Sequence, residues 1–219
     1  MNVEVIYEYM PLYVKAFLLT IKIGWIGIAL SLAIGVIVAF ILHFKLPVLI
    51  AVARCYIELF RNTPLLVQLF FIYFGLPRIG ISVSSEACGA IGLGLLGGSY
   101  MAETIRSGIE SVPISQMEGA KALGMKPFLI FKEIILPQAL TISVPGVVAN
   151  VIFLLKETSV FSAISLMDLM FTAKDLIGLY YNTVECLFML VIFYVIMLFP
   201  VSFLGGFLEK KVRFRMFGA

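Results

Sequence analysis

The chain has 219 residues, of which 62% are hydrophobic and 13% charged, with a formal net charge of +3 at pH 7. A soluble globular domain is about 45–50% apolar and about 25% charged, so a compact soluble fold of this length is excluded and lipid must surround the chain. No basic run with interleaved aromatic residues supports a nucleic-acid partner.

Apolar runs of about 20 residues, the length that crosses a bilayer as a helix, predict an all-α integral membrane protein with five transmembrane helices. The chain is expected to form one transmembrane domain over residues 1–219. The first apolar run exceeds the 7–15 residues or so of a cleavable signal peptide. The expected spans lie at about residues 15–43, 46–76, 86–105, 136–155 and 184–208.

Two of these spans carry small residues at every fourth position. Small residues let helix backbones approach closely in lipid, where the hydrophobic effect does not drive helices together. The stripes fit packing inside one subunit, and they equally fit a face toward a second subunit or a narrow pathway. They comprise Gly27, Ser31, Gly35 and Ala39 in the first span, and Ala90, Gly94, Gly98 and Ala102 in the third.

Charged residues interrupt the second and third spans. Glu58 and Arg61 lie three residues apart, on one helical face, and the spacing predicts an ion pair that either braces the helix or lines a solute pathway. Pro64 follows and favours a kink. Glu103 and Arg106 repeat the spacing at the end of the third span, where we expect a structural pair.

The polar loop at about residues 106–135 carries signals for two short helices. Ser115 is placed to cap the first helix, and Glu118 three residues later completes a capping box. Gly124 suits the left-handed position that ends a helix. Pro127 suits the first turn of the second helix.

The expected outer face of this loop is apolar, with Met117, Leu123, Met125 and Phe128 beside charged residues. Exposed apolar side chains of this kind fit docking into a groove of a partner protein. They equally fit helices that lie on the bilayer surface. The residues alone leave both interpretations open.

Lys156, Glu157, Thr158 and Ser159 follow one another at the end of the fourth span. A lysine, a carboxylate and two hydroxyls complement the charges and hydrogen bonds of an amino acid. The same four residues also fit an ordinary interfacial loop with a snorkelling lysine.

Basic residues predict the orientation of the chain, because cytoplasmic loops carry an excess of Lys and Arg. Four basic residues, Lys15, Arg78, Lys156 and Lys174, fall on one side of the predicted spans. The other side carries ten and is expected to be cytoplasmic, which places the N-terminus outside and the C-terminus inside. The ten are Lys45, Arg54, Arg106, Lys121, Lys126, Lys132, Lys210, Lys211, Arg213 and Arg215.

The loop resembles the signature of ATP-binding-cassette import permeases, which is Glu-Ala-Ala, three residues, Gly, nine residues, Ile, one residue and Leu-Pro. The matching residues are Glu118, Gly119, Ala120, Gly124, Ile134, Leu136 and Pro137. Gly119 departs from the pattern, which has alanine. In that family the loop is the coupling helix that seats in a cleft of the ATPase subunit, which implies coupling roles for Ser115, Glu118, Gly119, Ala120, Leu123 and Gly124.

Three further segments are similar to the histidine, glutamine and arginine branch of these permeases. The first is residues 58–68, and the third is residues 156–159. The second runs from Tyr100 to Glu103 and continues through Arg106 and Gly108 to residues 111–113. The resemblance implies a five-helix type I importer subunit in a bacterial inner membrane. It implies a second permease copy, identical or not, two cytoplasmic ATPase subunits that hold ATP and Mg²⁺, and an extracytoplasmic solute-binding protein. It also favours a place in the amino-acid pathway for residues 156–159.

Catalytic motifs are not found in the sequence. It contains no phosphate-binding loop, no Gly-x-Ser-x-Gly elbow and no zinc-binding His-Glu-x-x-His, and only one histidine. We therefore expect a transport subunit without its own enzyme activity, cofactor or metal. The alternative is a secondary transporter in which Glu58 or Glu103 carries protons, and the short chain and the lack of an evident inverted repeat weigh against it.

Overall fold

The structure is a computed structural model that describes residues 2–217, with side chains described as far as residue 212. Arg213 and Arg215 of the basic-residue count lie outside the described side chains. All regular structure in residues 2–217 is helical. The α-helices are α1 (Val3–His43), α2 (Leu49–Arg61), α3 (Leu65–Phe70), α4 (Ser85–Glu110), α5 (Ile114–Ala122), α6 (Pro127–Ile130), α7 (Leu136–Glu157), α8 (Leu169–Tyr180) and α9 (Thr183–Phe217).

Among the described residues, three helical runs are long and apolar enough to cross a membrane: α1, the continuous run Pro127–Ile164 and the part of α9 over Thr183–Val212. A fourth crossing is added if α2 and α3, with its extension to Ile79, count as one broken span. The predicted third span falls in α4, which is rich in glycine and has buried residues along most of its length. α4 is therefore the central helix, surrounded by other helices of the subunit.

The small-residue stripes pack α1 against α4. A Cβ atom added at Gly27 would lie 2.9 Å from the Cβ of Leu93, and one added at Gly94 would lie 2.9 Å from the Cβ of Leu30. Ser31 donates a hydrogen bond from Oγ to the Leu93 carbonyl at 3.1 Å. The two stripes thus face each other inside one subunit, which decides between the two interpretations that the sequence left open.

The predicted second span is not one helix, because α2 and α3 meet at an angle of 106°. Thr63 precedes a proline, a position that disfavours helical backbone, and Pro64 is extended, with ψ 143°. The break leaves backbone carbonyls without helical donors, and Gln68 binds two of them: its Nε2 donates to the Phe60 and Thr63 carbonyls, both at 3.0 Å. The same Nε2 lies 2.9 Å from the Thr63 hydroxyl, which also accepts from it. The break between α2 and α3 is therefore stabilised by specific hydrogen bonds.

The loop between α4 and α7 differs in two ways from its predicted form. α5 begins at Ile114, directly after the extended Pro113, and no side chain caps it. Ser115 therefore lies inside the first turn, and the predicted capping box is wrong. The second loop helix is not a separate element, since α6 runs through a π-helical turn at Phe131–Ile135 into α7. This wide turn lies just before Pro137, which cannot donate a hydrogen bond to the preceding turn.

A buried carboxylate fixes the start of α8. Asp168 is fully buried and accepts hydrogen bonds from the amides of Phe171 at 2.9 Å and Met170 at 3.3 Å. Burial raises the pKa of Asp168 to about 7, against the opposing effects of these amide donors and of Lys174. The amide of Leu169 donates to Thr20 of α1 at 3.1 Å, so the cap also joins α8 to the bundle.

Candidate functional site

The helix break opens onto a cavity of about 430 Å³, which we call the polar pocket. One wall comes from the break and the start of α3, and the other walls come from α4, α7 and the turn after α7. Because four parts of the chain meet here, the pocket collects side chains that lie far apart in sequence. Its lining residues are Arg61, Asn62, Thr63, Pro64, Leu65, Leu66, Leu96, Tyr100, Phe153, Glu157 and Val160.

Arg61 provides the positive charge of the polar pocket. Its side chain is 40% exposed, and its guanidinium lies 5.3 Å from the centre of the Tyr100 ring. Nη1 lies 3.5 Å from Oε2 of Glu103 on α4. The charge is thus compensated from the central helix while the side chain remains partly exposed.

The predicted pair between Glu58 and Arg61 is wrong. The Glu58 carboxylate accepts a hydrogen bond from Nδ2 of Asn62 at 3.0 Å, and the same Nδ2 donates to the Glu58 carbonyl at 2.7 Å. Asn62 closes the C-terminus of α2 in this way and takes the carboxylate that the spacing assigned to Arg61. Arg61 turns instead toward Glu103 on α4.

The predicted pair at the end of the third span is confirmed. Arg106 donates from Nε and Nη2 to the two oxygens of Glu103 at 3.1 and 3.0 Å. Its Nη1 binds both oxygens of Glu110, at 2.7 and 2.8 Å. Together with Arg61 these residues form a chain of four alternating charges.

A second cavity of about 620 Å³ adjoins this chain of charges, and we call it the charged cavity. It lies toward the end of α4 that leads into α5. Of the described residues, Arg61 alone lines both cavities. The charged cavity is lined by Leu42, Lys45, Ile50, Arg54, Ile57, Glu58, Arg61, Glu103, Arg106 and Glu110.

The structure does not bring the four residues at the end of α7 together. Glu157 lines the polar pocket, whereas Lys156 is exposed and is not among its lining residues. Thr158 is fully buried and donates to the Leu155 carbonyl at 2.7 Å. Ser159 is half-buried, and its carbonyl accepts from Ser162 at 3.4 Å. The helix after Glu157 tightens into a 3₁₀ turn over Thr158–Ile164, which points successive side chains in different directions.

Sequence reasoning missed several lining residues, among them Asn62, Thr63, Tyr100 and Phe153. Tyr100 and Phe153 also contact each other, with ring centroids 5.3 Å apart. The sequence did contain a signal for Tyr100. It lies three residues before Glu103, so both side chains project from the same face of α4, and that face contacts Arg61.

The loop at α5 presents an exposed apolar surface. Leu123 is 83% exposed and Phe128 is 72% exposed, on either side of the turn at Gly124. Gly124 has φ +76°, the left-handed conformation predicted from its position. Met117 and Met125, which were expected on the same outer face, are half-buried and pack inward.

The residues of the signature segment divide between this surface and the interior. Ser115, Glu118 and Gly119 are exposed, and a Cβ added at Gly119 would meet nothing within 4 Å. Ala120 is buried and packs into the cluster that holds α5 against α6 and α7. Five of the six residues predicted to couple to an ATPase are thus on the surface, and Ala120 anchors the helix beneath them.

Comparison with known proteins gives consistent matches along the chain. A family model described as the binding-protein-dependent transport system inner membrane component matches residues 31–214. A protein of Rickettsia felis named putative glutamine transport system permease protein GlnP is 38% identical over 200 residues, covering 91% of this chain and 92% of its own length. A Bacillus subtilis protein named probable glutamine ABC transporter permease protein GlnM is 32% identical, covering 97% and 99%.

Solved structures share the arrangement of helices. A chain in the crystal structure of an amino acid ABC transporter with histidines superposes with a TM-score of 0.90 at 29% identity, covering 96% of this chain and 99% of its own. A chain of the MetNI methionine ABC transporter, in an inward-facing conformation, gives a TM-score of 0.78 at 21% identity and shows the same fold.

Proposed function

The chain belongs to the family of binding-protein-dependent transport system inner membrane components, and from that premise we propose that it forms the membrane pathway for a polar amino acid in an ATP-binding-cassette importer. It acts as a transport subunit, and ATP hydrolysis belongs to a partner. The alternative of an ion-driven secondary transporter is not favoured by the family.

One observation carries the assignment of the cargo: Arg61 and Glu157 line the same pocket. Every amino acid presents a carboxylate and an ammonium group, and a guanidinium and a carboxylate are their charge-assisted partners. Asn62 adds an amide oxygen that can accept a hydrogen bond from a polar side chain, such as the carboxamide of glutamine, whereas its Nδ2 and the Thr63 hydroxyl are engaged within the helix break. The relatives named for glutamine and the structure with histidines support this class of cargo.

The surface around α5 is proposed as the docking site for the ATPase. Leu123 and Phe128 expose apolar area beside the turn at Gly124, and a groove on a partner would cover it. This proposal includes two ATPase subunits that hold ATP and Mg²⁺, a second permease copy and an extracytoplasmic binding protein. A surface-lying helix pair would instead keep these side chains in the lipid headgroups.

The proposed topology has five crossings in the bacterial inner membrane, with α4 and the broken pair α2–α3 each counted as one. An odd number of crossings places the two termini on opposite sides. The excess of basic residues favours the N-terminus outside and the α5 loop in the cytoplasm, on the side where ATP is available.

The test is uptake of L-glutamine, L-histidine and L-arginine by proteoliposomes that contain the purified complex of permease and ATPase, with binding protein added outside and no ion gradient. Uptake that requires enclosed ATP supports the proposal. Glu157→Gln should lower the uptake of the transported amino acid severalfold, whereas Glu86→Gln, on α4 and away from the polar pocket, should not. Uptake driven by an ion gradient without ATP would overturn the proposal.

A further inference from the structure

Arg61 stands between two cavities of different character. On one side is the polar pocket, with Glu157 and Tyr100, and on the other is the charged cavity, with Glu103 and Arg106. A carboxylate bound at Arg61 in the polar pocket therefore lies next to the carboxylate of Glu103. The two carboxylates carry the same charge and share one cation.

The contacts of Glu103 are unequal. Arg106 holds both of its oxygens with hydrogen bonds of 3.1 and 3.0 Å. Arg61 approaches only Oε2, at 3.5 Å, which exceeds an ordinary N–H···O hydrogen bond of about 2.7–3.2 Å. Glu103 is thus fixed by Arg106 whether or not Arg61 stays, and Arg61 is the partner that can move.

We propose that Glu103 is a positioning residue that competes with the cargo carboxylate for Arg61 and so drives release of the cargo from the polar pocket toward the charged cavity. This inference rests on the proposed function, because it requires a cargo with a carboxylate. When cargo arrives, its carboxylate binds the part of Arg61 that is exposed in the polar pocket. When it leaves, Glu103 takes over the guanidinium, so the charge is not left uncompensated within the membrane.

A purely structural role for Glu103 makes a different prediction. If the carboxylate only bound α2 to α4, its loss would loosen the pocket and weaken cargo binding. If it competes for Arg61, its loss leaves Arg61 fully available, so cargo binds more tightly and leaves more slowly. The two roles therefore change the dissociation constant in opposite directions.

The experiment measures equilibrium binding of radiolabelled L-glutamine, L-histidine and L-arginine to the purified permease–ATPase complex without binding protein. It also measures the maximal ATP-dependent uptake rate at saturating binding protein. For Glu103→Gln we expect the Kd of the bound amino acid to fall about fivefold and the uptake rate to fall by a similar factor, as for the loss of one half-exposed ion pair. Glu103→Asp, which keeps the charge, should restore most of the rate.

The control is Glu86→Gln, on the same helix α4, which removes the 3.0 Å ion pair with Lys22 away from both cavities. It should change neither the Kd nor the rate. An unchanged or raised Kd in Glu103→Gln, with glutamine, histidine or arginine still bound by the wild-type complex, overturns the competition and leaves the proposed function standing. Absence of binding and uptake of all three amino acids in the wild type overturns both.

Discussion

The guanidinium of Arg61 lies 3.5 Å from the carboxylate of Glu103 on α4, although Glu58 lies one turn away on its own helix. Glu58 is engaged by Asn62 at the end of α2. The contact therefore joins the broken helix to the central helix at the point where the polar pocket meets the charged cavity.

A double-mutant cycle tests this pairing. Arg61→Gln and Glu103→Gln should be non-additive in thermal unfolding of the detergent-solubilised protein, with a coupling of about 1 kcal/mol, because both side chains are partly exposed and screened. The matched cycle of Arg61→Gln with Glu58→Gln should be additive. A larger coupling to Glu58 than to Glu103 would contradict the assigned partner.

The contact between α1 and α4 predicts a strict size limit at Gly35. A Cβ added there would meet the side chain of Met101 and lie 3.0 Å from the backbone nitrogen of Ala102. A backbone atom inside a helix cannot shift without displacing the helix. Gly35→Ala should destabilise the protein by about 1–3 kcal/mol, as overpacking does, and lower the unfolding temperature. Gly206→Ala, with nothing within 4 Å of the added Cβ, is the control and should not lower it.

Gly124 is predicted to be required for transmission between ATPase and permease. Its φ of +76° cannot be adopted by proline, whose φ is near −65°. Gly124→Pro should leave membrane insertion intact and abolish amino-acid uptake while the ATPase still hydrolyses ATP. Gly178→Ala, in α8 and without neighbours near the added Cβ, should retain uptake, and normal uptake by Gly124→Pro would contradict the coupling role.

Asp168 predicts a pH dependence of stability. Its ordinary pKa of 3.8 is raised to about 7 by burial in the folded protein, so between these values the folded state holds a proton that the unfolded state has lost. Protonation of Asp168 therefore adds to the free energy of unfolding. This contribution is fully present below about pH 4, is lost as pH rises to about 7, and amounts to a few kcal/mol at most.

The measurement is the unfolding temperature of the wild type and of Asp168→Asn from pH 4 to pH 8. The asparagine stays neutral, and its amide oxygen can still accept the shorter cap hydrogen bond, from Phe171. The bond from Met170 is lost at every pH, so this loss does not alter the pH dependence of the difference. The difference between the two proteins should shift in favour of Asp168→Asn as pH rises. A difference that is constant with pH would show that the carboxylate does not titrate in this range.

The sequence predicted those features that depend on neighbouring residues. Long apolar runs predicted helices such as α7, found at Leu136–Glu157 where about 136–155 was expected, and Gly124 predicted a left-handed turn. Local rules failed where two candidates competed. α5 begins at Ile114, directly after Pro113, so Ser115 already lies inside the helix and cannot cap it. Asn62 takes the carboxylate that the spacing assigned to Arg61.

The candidate site was only half predictable for a different reason. Arg61 was identified because charged residues are costly in a membrane, and Glu157 because it stands beside a lysine and two hydroxyl residues at the end of a span. Their common pocket depends on the 106° bend between α2 and α3 and on the packing of α7 against α4. Neither the bend nor this packing is encoded in a local pattern, so Tyr100 and Asn62 were missed, and Thr158 was expected in the pathway although it is buried and does not line the polar pocket.

The most direct test of the account is protection of the polar pocket by cargo. Thr63→Cys would be introduced into a variant with Cys55, Cys88 and Cys186 replaced by alanine, and labelled with a small thiol reagent with and without L-glutamine, L-histidine or L-arginine. We predict that the transported amino acid slows labelling severalfold at Thr63→Cys but not at Thr172→Cys, which lines a separate cavity beside α8. Equal labelling rates at Thr63→Cys with and without an amino acid that the complex transports would contradict the placement of the pathway in this pocket.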